Sequence, residues 1–560
     1  MTRLSGRYAM IEQLLAEGVR YVFGNPGTTE QGFMDALQDY PQLEYILALQ
    51  ESVAIGVADG YARATGRPAF VQLHIMPGLG NAMGMLYNSY RVRTPMVIYA
   101  GQHPQRGNSQ EPILAGDLVR LAEPLTKWAV EAQDSHEIPV LVRRAFQAAM
   151  EPPRGPVFLS VPTNVMDQEA AVDISPSTPP DTRMHPQPEV VELVAALLLA
   201  AKSPVILCGD GVGNSGGQSE LVQLAELLGA RVHSTFCAEL PFPSAHPLYG
   251  GLLNVVSAAG LKGQLSSADL ILAVGTPMLP LLLPLDECPF PDSAKVVHID
   301  LEAREIGKNW PVELGLVADP RLTMAGTIEA LKRAMTDNQR QEADQRAQAV
   351  RADSEAMLAA MEGAARARWD SIPISAGRMM SELGAAMLRD TVLFDESITS
   401  GGYLMRYLRF DEPGRHYRAA GGGLGPGMPN PIGIKLARPD RPVLSVVGDG
   451  SALYTIQALW SAAHHKIPVT WVIANNGSYR ILKLNMLEYL GEGAAGRKFV
   501  EMDMKDPELD FGAIARSFGV KGVRVEHPDE IGDAVREAQK SNDPRLVDVV
   551  IEGDIRSRWL

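Results

Sequence analysis

At 560 residues the chain is too long for one hydrophobic core, and about three domains are expected. Hydrophobic residues at 46%, charged residues at 21% and no low-complexity tract describe ordinary globular domains and exclude a disordered or fibrous chain. A net charge of −15 argues against a nucleic-acid partner, because a chain that binds phosphate backbones carries a basic face.

The first eighteen residues read as an amphipathic helix and lack the apolar run and small-residue cleavage site of a secretory leader. The most apolar stretches, 190–201 and 278–285, are too short or too interrupted by Glu and Pro to span a bilayer, so a soluble chain without membrane partners is expected. Cys208, Cys237 and Cys288 lie far apart without CxxC spacing, which suggests neither a disulfide framework nor a zinc site. A cytoplasmic location fits.

From residue 1 to 180 helical and strand patterns alternate. After the first helix come strands at 21–23 and 45–49, a helix at 53–64, and strands at 69–73, 96–100 and 156–161, the alternation of an α/β fold. A Pro- and Ser-containing segment, 175–180, reads as a linker. Between 183 and 345 a helix at 190–201 and strands at 205–208, 270–274 and 296–299 form a second α/β unit. The glycines of Gly209-Asp-Gly-Val-Gly213 follow a strand but do not give the Gly-x-Gly-x-x-Gly spacing, so a structural turn is preferred there to a dinucleotide site, which stays open as the weaker reading. A charged helix, 338–368, leads to a last domain, 372–560.

That domain holds the most informative stretch. An apolar strand at 443–447 stops at Gly448-Asp449-Gly450, a helix is expected over 453–465, Pro468 ends it, and a second apolar strand at 469–474 stops at Asn475-Asn476-Gly477. In such a βαβ unit the strands are parallel neighbours, so Asp449 and Asn476 project from one carboxyl edge of the sheet, where ligands bind. A carboxylate, an amide oxygen and a turn carbonyl are hard donors of the kind magnesium accepts while it keeps phosphate oxygens in its other positions. The implied ligand is a metal-bound diphosphate. Asp-Gly and Asn-Gly are each common turns, and it is their order and spacing that lift the pair above that plainer reading.

The sequence Gly448-Asp-Gly-Ser451, helix, strand, Asn475-Asn-Gly-Ser478 resembles the magnesium and thiamine-diphosphate motif. The first-domain stretch from Glu51 to Gly66, ESVAIGVADGYARATG, resembles a second signature of the same enzymes, although a lone glutamate at a helix start is also what the helix dipole favours. The resemblance implies three doubly wound parallel-sheet domains: pyrimidine-binding, central and diphosphate-binding. It implies that Asp449, Asn476 and the carbonyl of Ser478 hold the metal, and that Glu51 meets the cofactor's aminopyrimidine and promotes the tautomer that removes the thiazolium C2 proton. Within the family, Asn25-Pro-Gly-Thr-Thr-Glu30, Ile46 to Glu51, Leu73-His74, Gly80 to Gly84, Ala420 to Gly425 and Gln457 to Trp460 resemble segments of benzoylformate decarboxylases.

From that likeness His74 is expected in proton transfer, as the side chain that titrates near neutrality, and Thr28 beside the substrate carboxylate. Leu424 is expected under the bent cofactor, next to Gly423. Glu396, Ser397 and Thr399 would line the diphosphate side, with Gly448, Gly450, Ser451 and Tyr479 completing the cofactor contacts. The reaction implied is non-oxidative decarboxylation of a benzoylformate-like 2-oxo acid to an aldehyde, in a homodimer or homotetramer whose active sites span subunits. An acetolactate-synthase-like carboligase and a non-catalytic cofactor-binding subunit are the alternatives. Leu282 stands where benzoylformate decarboxylases carry a second pocket histidine, and no histidine occurs from Asn254 to Val297. Arg480 and Lys483, after the metal motif, are candidates for reading a second anionic group, against the plainer reading of solvated charge. His464 and His465 are expected to be packing and surface residues.

Overall fold

The computed structural model describes residues 2–254, 257–279, 284–494, 497–553 and 555. Leu282 lies outside them. The chain divides into two compact units, one formed by Met1–Pro180, Asp370–Gly401 and Gly421–Leu560, the other by Asp181–Trp369 and Gly402–Ala420.

The first unit carries two parallel sheets. In its amino-terminal part β1 (Thr2–Ser5) pairs antiparallel with β8 (Glu169–Val172). Between them in sequence lie β2 (Tyr21–Gly24), β3 (Glu44–Leu47), β4 (Ala69–Leu73), β5 (Met96–Gln102), β6 (Ala129–Glu131) and β7 (Pro156–Pro162). These six are all parallel, in the order β3-β2-β4-β5-β7-β6. Strands β4, β5 and β7 are buried along their whole length, which is why they read as unbroken apolar runs rather than alternating ones.

The second unit holds β9 (Pro204–Cys208), β10 (Arg231–Ser234), β11 (Tyr249–Leu252), β12 (Leu270–Val274), β13 (Lys295–Asp300) and β14 (Leu314–Val317), with β16 (His416–Arg418) in its second segment. Its parallel sheet runs β11-β10-β9-β12-β13-β14, a doubly wound order that reverses between β9 and β12. A Gly-x-Gly-x-x-Gly spacing does occur here, at Gly211, Gly213 and Gly216, which corrects the sequence reading. It lies inside and beyond the short helix Asp210–Asn214 rather than in the turn that leaves β9, so it lacks the context of a phosphate loop. The charged helix runs from Asp337 to Arg366 and opens on a capping box between Thr336 and Gln339.

The carboxyl-terminal part of the first unit is built on β15 (Val392–Glu396), β17 (Val443–Gly448), β18 (Thr470–Asn475), β19 (Lys521–Val525) and β20 (Arg545–Val550). They are parallel in the order β15-β17-β18-β20-β19. The expected helix over 453–465 is broken: a turn of helix spans Asp449–Ala452, and the helix proper is Ala458–His464. In the gap Thr455 donates its hydroxyl to the carbonyl of Gly425, which draws the chain away from a continuous helix.

Two helices join the halves of this unit. The helix Glu51–Thr65 lies against Asn430–Ala437 so closely that a side chain on Gly60 would overlap the backbone of Asn430, and one on Gly433 the backbone of Val57. Beside this contact the buried Asp59 accepts from Arg63 at 2.7 Å and from Asn430 at 2.6 Å. The small residues of the Glu51 stretch thus have a packing reason of their own.

Candidate active site

Strands β2 and β4 are neighbours, so the turn after β2 and the residue after β4 emerge side by side. The first is Asn25 to Glu30 and the second is His74. Asn25 is fixed by donating to Ala48 O at 2.9 Å and accepting at its own carbonyl from Gln72 at 3.1 Å. Gly27 lies flat on the His74 ring, where any Cβ would overlap the imidazole. His74 Nδ1 then meets Glu30 Oε2 at 2.9 Å. Glu30 is 0% exposed, and its Oε1 accepts from Gly101 N at 2.8 Å and from the Thr29 hydroxyl at 2.6 Å.

A carboxylate on Nδ1 places the proton there in the neutral ring and leaves Nε2 as the acceptor nitrogen. Thr29, and not Thr28, is the hydroxyl beside the ring, at 3.3 Å from Nδ1, while Thr28 is exposed at the head of the turn. Sequence reasoning passed over both Thr29 and Glu30. The available signal was a carboxylate closing Asn-Pro-Gly-Thr-Thr-Glu at one sheet edge with a histidine at the next. Ile75, directly after His74, is fully buried with φ at +39°, a region β-branched residues avoid.

Glu51 is the first residue of its helix, whose start is capped by Gln50 accepting from Ser52 N at 2.6 Å and Val53 N at 3.3 Å. Its side chain, 8% exposed, accepts from Asn81 Nδ2 at 3.1 Å. Glu51 Oε1 and His74 Cβ lie 3.1 and 3.3 Å from where a Cβ on Gly78 would stand, so the structure brings these two expected residues to the same spot. Asn81 is a second residue the sequence did not single out.

In the carboxyl-terminal sheet β15, β17 and β18 are adjacent and parallel, and their ends Glu396, Asp449 and Asn476 come together. Asp449 is buried. Its Oδ1 accepts from Gly450 N at 2.8 Å, and its Oδ2 from Asn476 N at 2.9 Å and Gly477 N at 2.6 Å. Burial pushes its carboxyl above the usual range, and these backbone donors pull it back.

The two asparagines have different employment. Asn475 donates to Asp548 Oδ1 at 3.0 Å and to Leu509 O at 3.3 Å, which ties it to the sheet. The Asn476 side-chain oxygen is buried with no hydrogen-bond partner. A buried amide oxygen without a donor is costly, and a cation beside Asp449 would supply what it lacks. Ser478 bridges to Asp503 through its neighbours, Tyr479 N to Met502 O at 2.9 Å and Met504 N to Gly477 O at 2.8 Å, so its own carbonyl is not used there. The donor set therefore fits magnesium. Gly450 lies against the Tyr479 ring, and Ser451 is buried beside Glu396.

Other residues depart from expectation. Glu396 is 1% exposed and faces inward, and Ser397, also buried, turns its hydroxyl to Asp395 Oδ1 at 2.6 Å. Thr399 is half-buried and follows Ile398, which has φ at +47°. Lys483 is buried and paired with Asp503 at 2.5 Å, so it pins the 502–504 segment rather than standing ready for a substrate anion. Gly423 is held at both ends by Asn88, whose Oδ1 accepts from its N–H at 2.8 Å and whose Nδ2 donates to its carbonyl at 3.1 Å. Leu424 comes next, half-buried.

The chain matches "Thiamine pyrophosphate enzyme, N-terminal TPP binding domain" over residues 4–120, the corresponding central domain over 191–327 and the C-terminal TPP binding domain over 399–549. It is 33% identical to benzoylformate decarboxylase of Pseudomonas aeruginosa, across 97% of this chain and 98% of that one. Against the probable acetolactate synthase large subunit of Methanocaldococcus jannaschii it is 30% identical, across 98% of this chain and 92% of that one. The solved 4-hydroxybenzoylformate decarboxylase of Rhodococcus jostii superimposes with a TM-score of 0.84 at 28% identity, covering 98% of this chain and 100% of that one.

Proposed function

The chain belongs to the thiamine pyrophosphate enzyme family, and from that premise we propose that it decarboxylates a benzoylformate-like 2-oxo acid to an aldehyde, without net oxidation, using thiamine diphosphate and magnesium. The observation that carries the reading is the buried Glu30 carboxylate on His74 Nδ1, which leaves Nε2 to exchange a proton. When bound, the cofactor supplies the carbon nucleophile and the electron sink for loss of carbon dioxide. Asp449, Asn476 and the Ser478 carbonyl would hold the metal, Thr399, Gly448 and Ser451 the diphosphate, and Leu424 and Tyr479 the rings. Glu51, steadied by Asn81, is the proton partner for the aminopyrimidine. His74 delivers or removes the proton at the reacting carbon or its oxygen, and each positioned acid or base contributes ~100-fold or more.

Two copies of the chain complete the site in this reading, giving a homodimer or homotetramer. In support, apolar side chains stand exposed in the segments that carry the site residues: Leu49 two residues before Glu51, Ile398 two after Glu396 and Tyr454 three after Ser451. The test of the reaction is a panel of aromatic, aliphatic and dicarboxylic 2-oxo acids with carbon dioxide and products measured. Fastest release from an aryl substrate, with aldehyde as product, is expected. Carbon dioxide evolved only with an added acceptor would identify a carboligase, and none from any acid a cofactor-binding subunit.

The carboligase reading is favoured by the likeness to an acetolactate synthase large subunit and by Leu282, which stands where the resemblance places a second histidine. With His74 alone delivering protons, an acceptor aldehyde competes better, so excess acceptor raises the hydroxyketone-to-aldehyde ratio and Leu282→His lowers it. A ratio unchanged or raised in a correctly folded Leu282→His variant would remove this support.

A further inference from the structure

The segment Gly421–Gly427 is held residue by alternate residue. Gly423 is gripped at N–H and C=O by Asn88. Gly425 donates to Glu396 Oε1 at 2.7 Å and accepts from the Thr455 hydroxyl at 2.5 Å. Gly427 donates to Glu396 Oε2 at 2.6 Å and accepts from the Ser445 hydroxyl at 2.7 Å. Gly423, Gly425 and Gly427 thus each have both backbone groups taken by side chains, and Leu424 lies between two fixed points. Of these side chains only Glu396 fastens two positions at once. A further hydrogen bond to the Ser451 side chain ties it to the Asp449 turn.

We propose that Glu396 is a positioning residue: its buried carboxylate locks Gly425 and Gly427 and thereby presets Leu424 and the Asp449 turn for the cofactor, which it does not itself touch.

Three observations support this beyond the distances. The side chain is closed to solvent, and its oxygens are taken by Gly425, Gly427 and Ser451 within the protein. Both oxygens are engaged separately, which only a carboxylate does well, because an amide at the same place turns a donor toward one of the two N–H groups. Burial pushes its carboxyl up to about 7, and the Gly425 and Gly427 N–H groups and the Ser451 side chain pull it back toward the ionised form.

The proposal rests on the cofactor assigned above, and the experiment separates the two. Thiamine diphosphate affinity is titrated at saturating magnesium, and amide hydrogen exchange of 421–427 is followed in cofactor-free protein, for wild type and Glu396→Gln. At least tenfold faster exchange together with at least tenfold weaker affinity is expected. Weaker affinity with unchanged exchange would show a direct contact with the cofactor and overturn the clamp. Faster exchange with unchanged affinity, or no change in either, overturns it as well.

A wild-type chain that does not bind thiamine diphosphate refutes the cofactor, and the clamp is then judged on exchange alone. Should Glu396→Gln fail to fold, Thr455→Val removes a single bond of the same set. Exchange and affinity should then each change about threefold, and no change in either overturns the proposal.

Discussion

Two turns in this chain begin alike. Strand β9 ends at Gly209-Asp210-Gly211 and strand β17 at Gly448-Asp449-Gly450, each in a parallel sheet with a parallel neighbour beside it. Their fates differ because the neighbouring strands end differently. Beside Asp210 the chain closes on itself: both carboxylate oxygens accept from Ala238 N, at 2.9 and 3.0 Å, and Gly211 N donates to Gly275 O at 2.8 Å. Thr235 and Thr276 join hydroxyls across the same crevice at 2.7 Å. Beside Asp449 the neighbour ends in Asn476, whose buried oxygen has no partner. A Gly-Asp-Gly turn is therefore a site only where the adjoining strand leaves a donor atom unspent.

The sharpest way to break this comparison is to remove each aspartate. Asp449→Ala should lower affinity for thiamine diphosphate with magnesium more than 100-fold by calorimetry. Asp210→Ala should leave that affinity unchanged and instead cost about 1–3 kcal/mol of stability, because buried N–H groups lose their acceptor. Equal affinities for wild type and Asp449→Ala would sink the assignment. Next in size comes Glu51→Gln, which should bind cofactor within a few-fold yet lose ~100-fold or more in C2 proton exchange in deuterated water. Near-normal exchange would reduce Glu51 to a helix-start charge.

The paired asparagines refine the comparison to one residue. Asn476→Ala should weaken magnesium binding while the apparent melting temperature holds, since no protein partner is lost. Asn475→Ala should do the reverse: magnesium binding persists, and the unpaired Asp548 and Leu509 groups cost about 1–3 kcal/mol. The same loss in both variants would erase the distinction drawn from Asn476 Oδ1.

How much of the fold and the site was legible in the sequence depends on whether the partner is a neighbour in the pattern. Asp449 and Asn476 could be read together because a βαβ unit fixes two strand ends side by side. The breadth of the fold came from apolar runs buried on both faces, and strand positions were close for the same reason. Glu30 closes a turn at a strand end, which was a signal, but it could not be assigned to His74 until β2 and β4 were known to be adjacent. Glu396 was read as facing a ligand and proved to face the glycines at 425 and 427, about thirty residues on in sequence. The helix over 453–465 had the right periodicity, but Thr455 is drawn by a tertiary bond that propensity does not contain.

The smallest expected effect concerns a residue that its sequence context marks as packing. His464 does stack on Trp460, with ring centroids 4.6 Å apart at 10°. His465 does more, since its Nε2 accepts from Leu47 N at 2.9 Å. Strand β3 is the edge of its sheet, so the outward N–H of its last residue has no ladder partner, and four residues later the chain reaches Glu51. An acceptor at Nε2 requires the neutral ring. Burial first and the adjacent His464 second hold the His465 pKa below 6.5, with the nearby Glu44 opposing. The unfolded chain then binds the extra proton more readily, so this contribution is complete above pH 6.5 and is lost as pH falls below it. A net hydrogen bond of about 1 kcal/mol sets its size. His465→Gln keeps an acceptor and removes the titration, so the fall in apparent melting temperature from about pH 7.5 to about pH 5.5 should be shallower than in wild type by a few degrees or less. An identical fall in both would mean that the edge of β3 does not depend on a neutral His465.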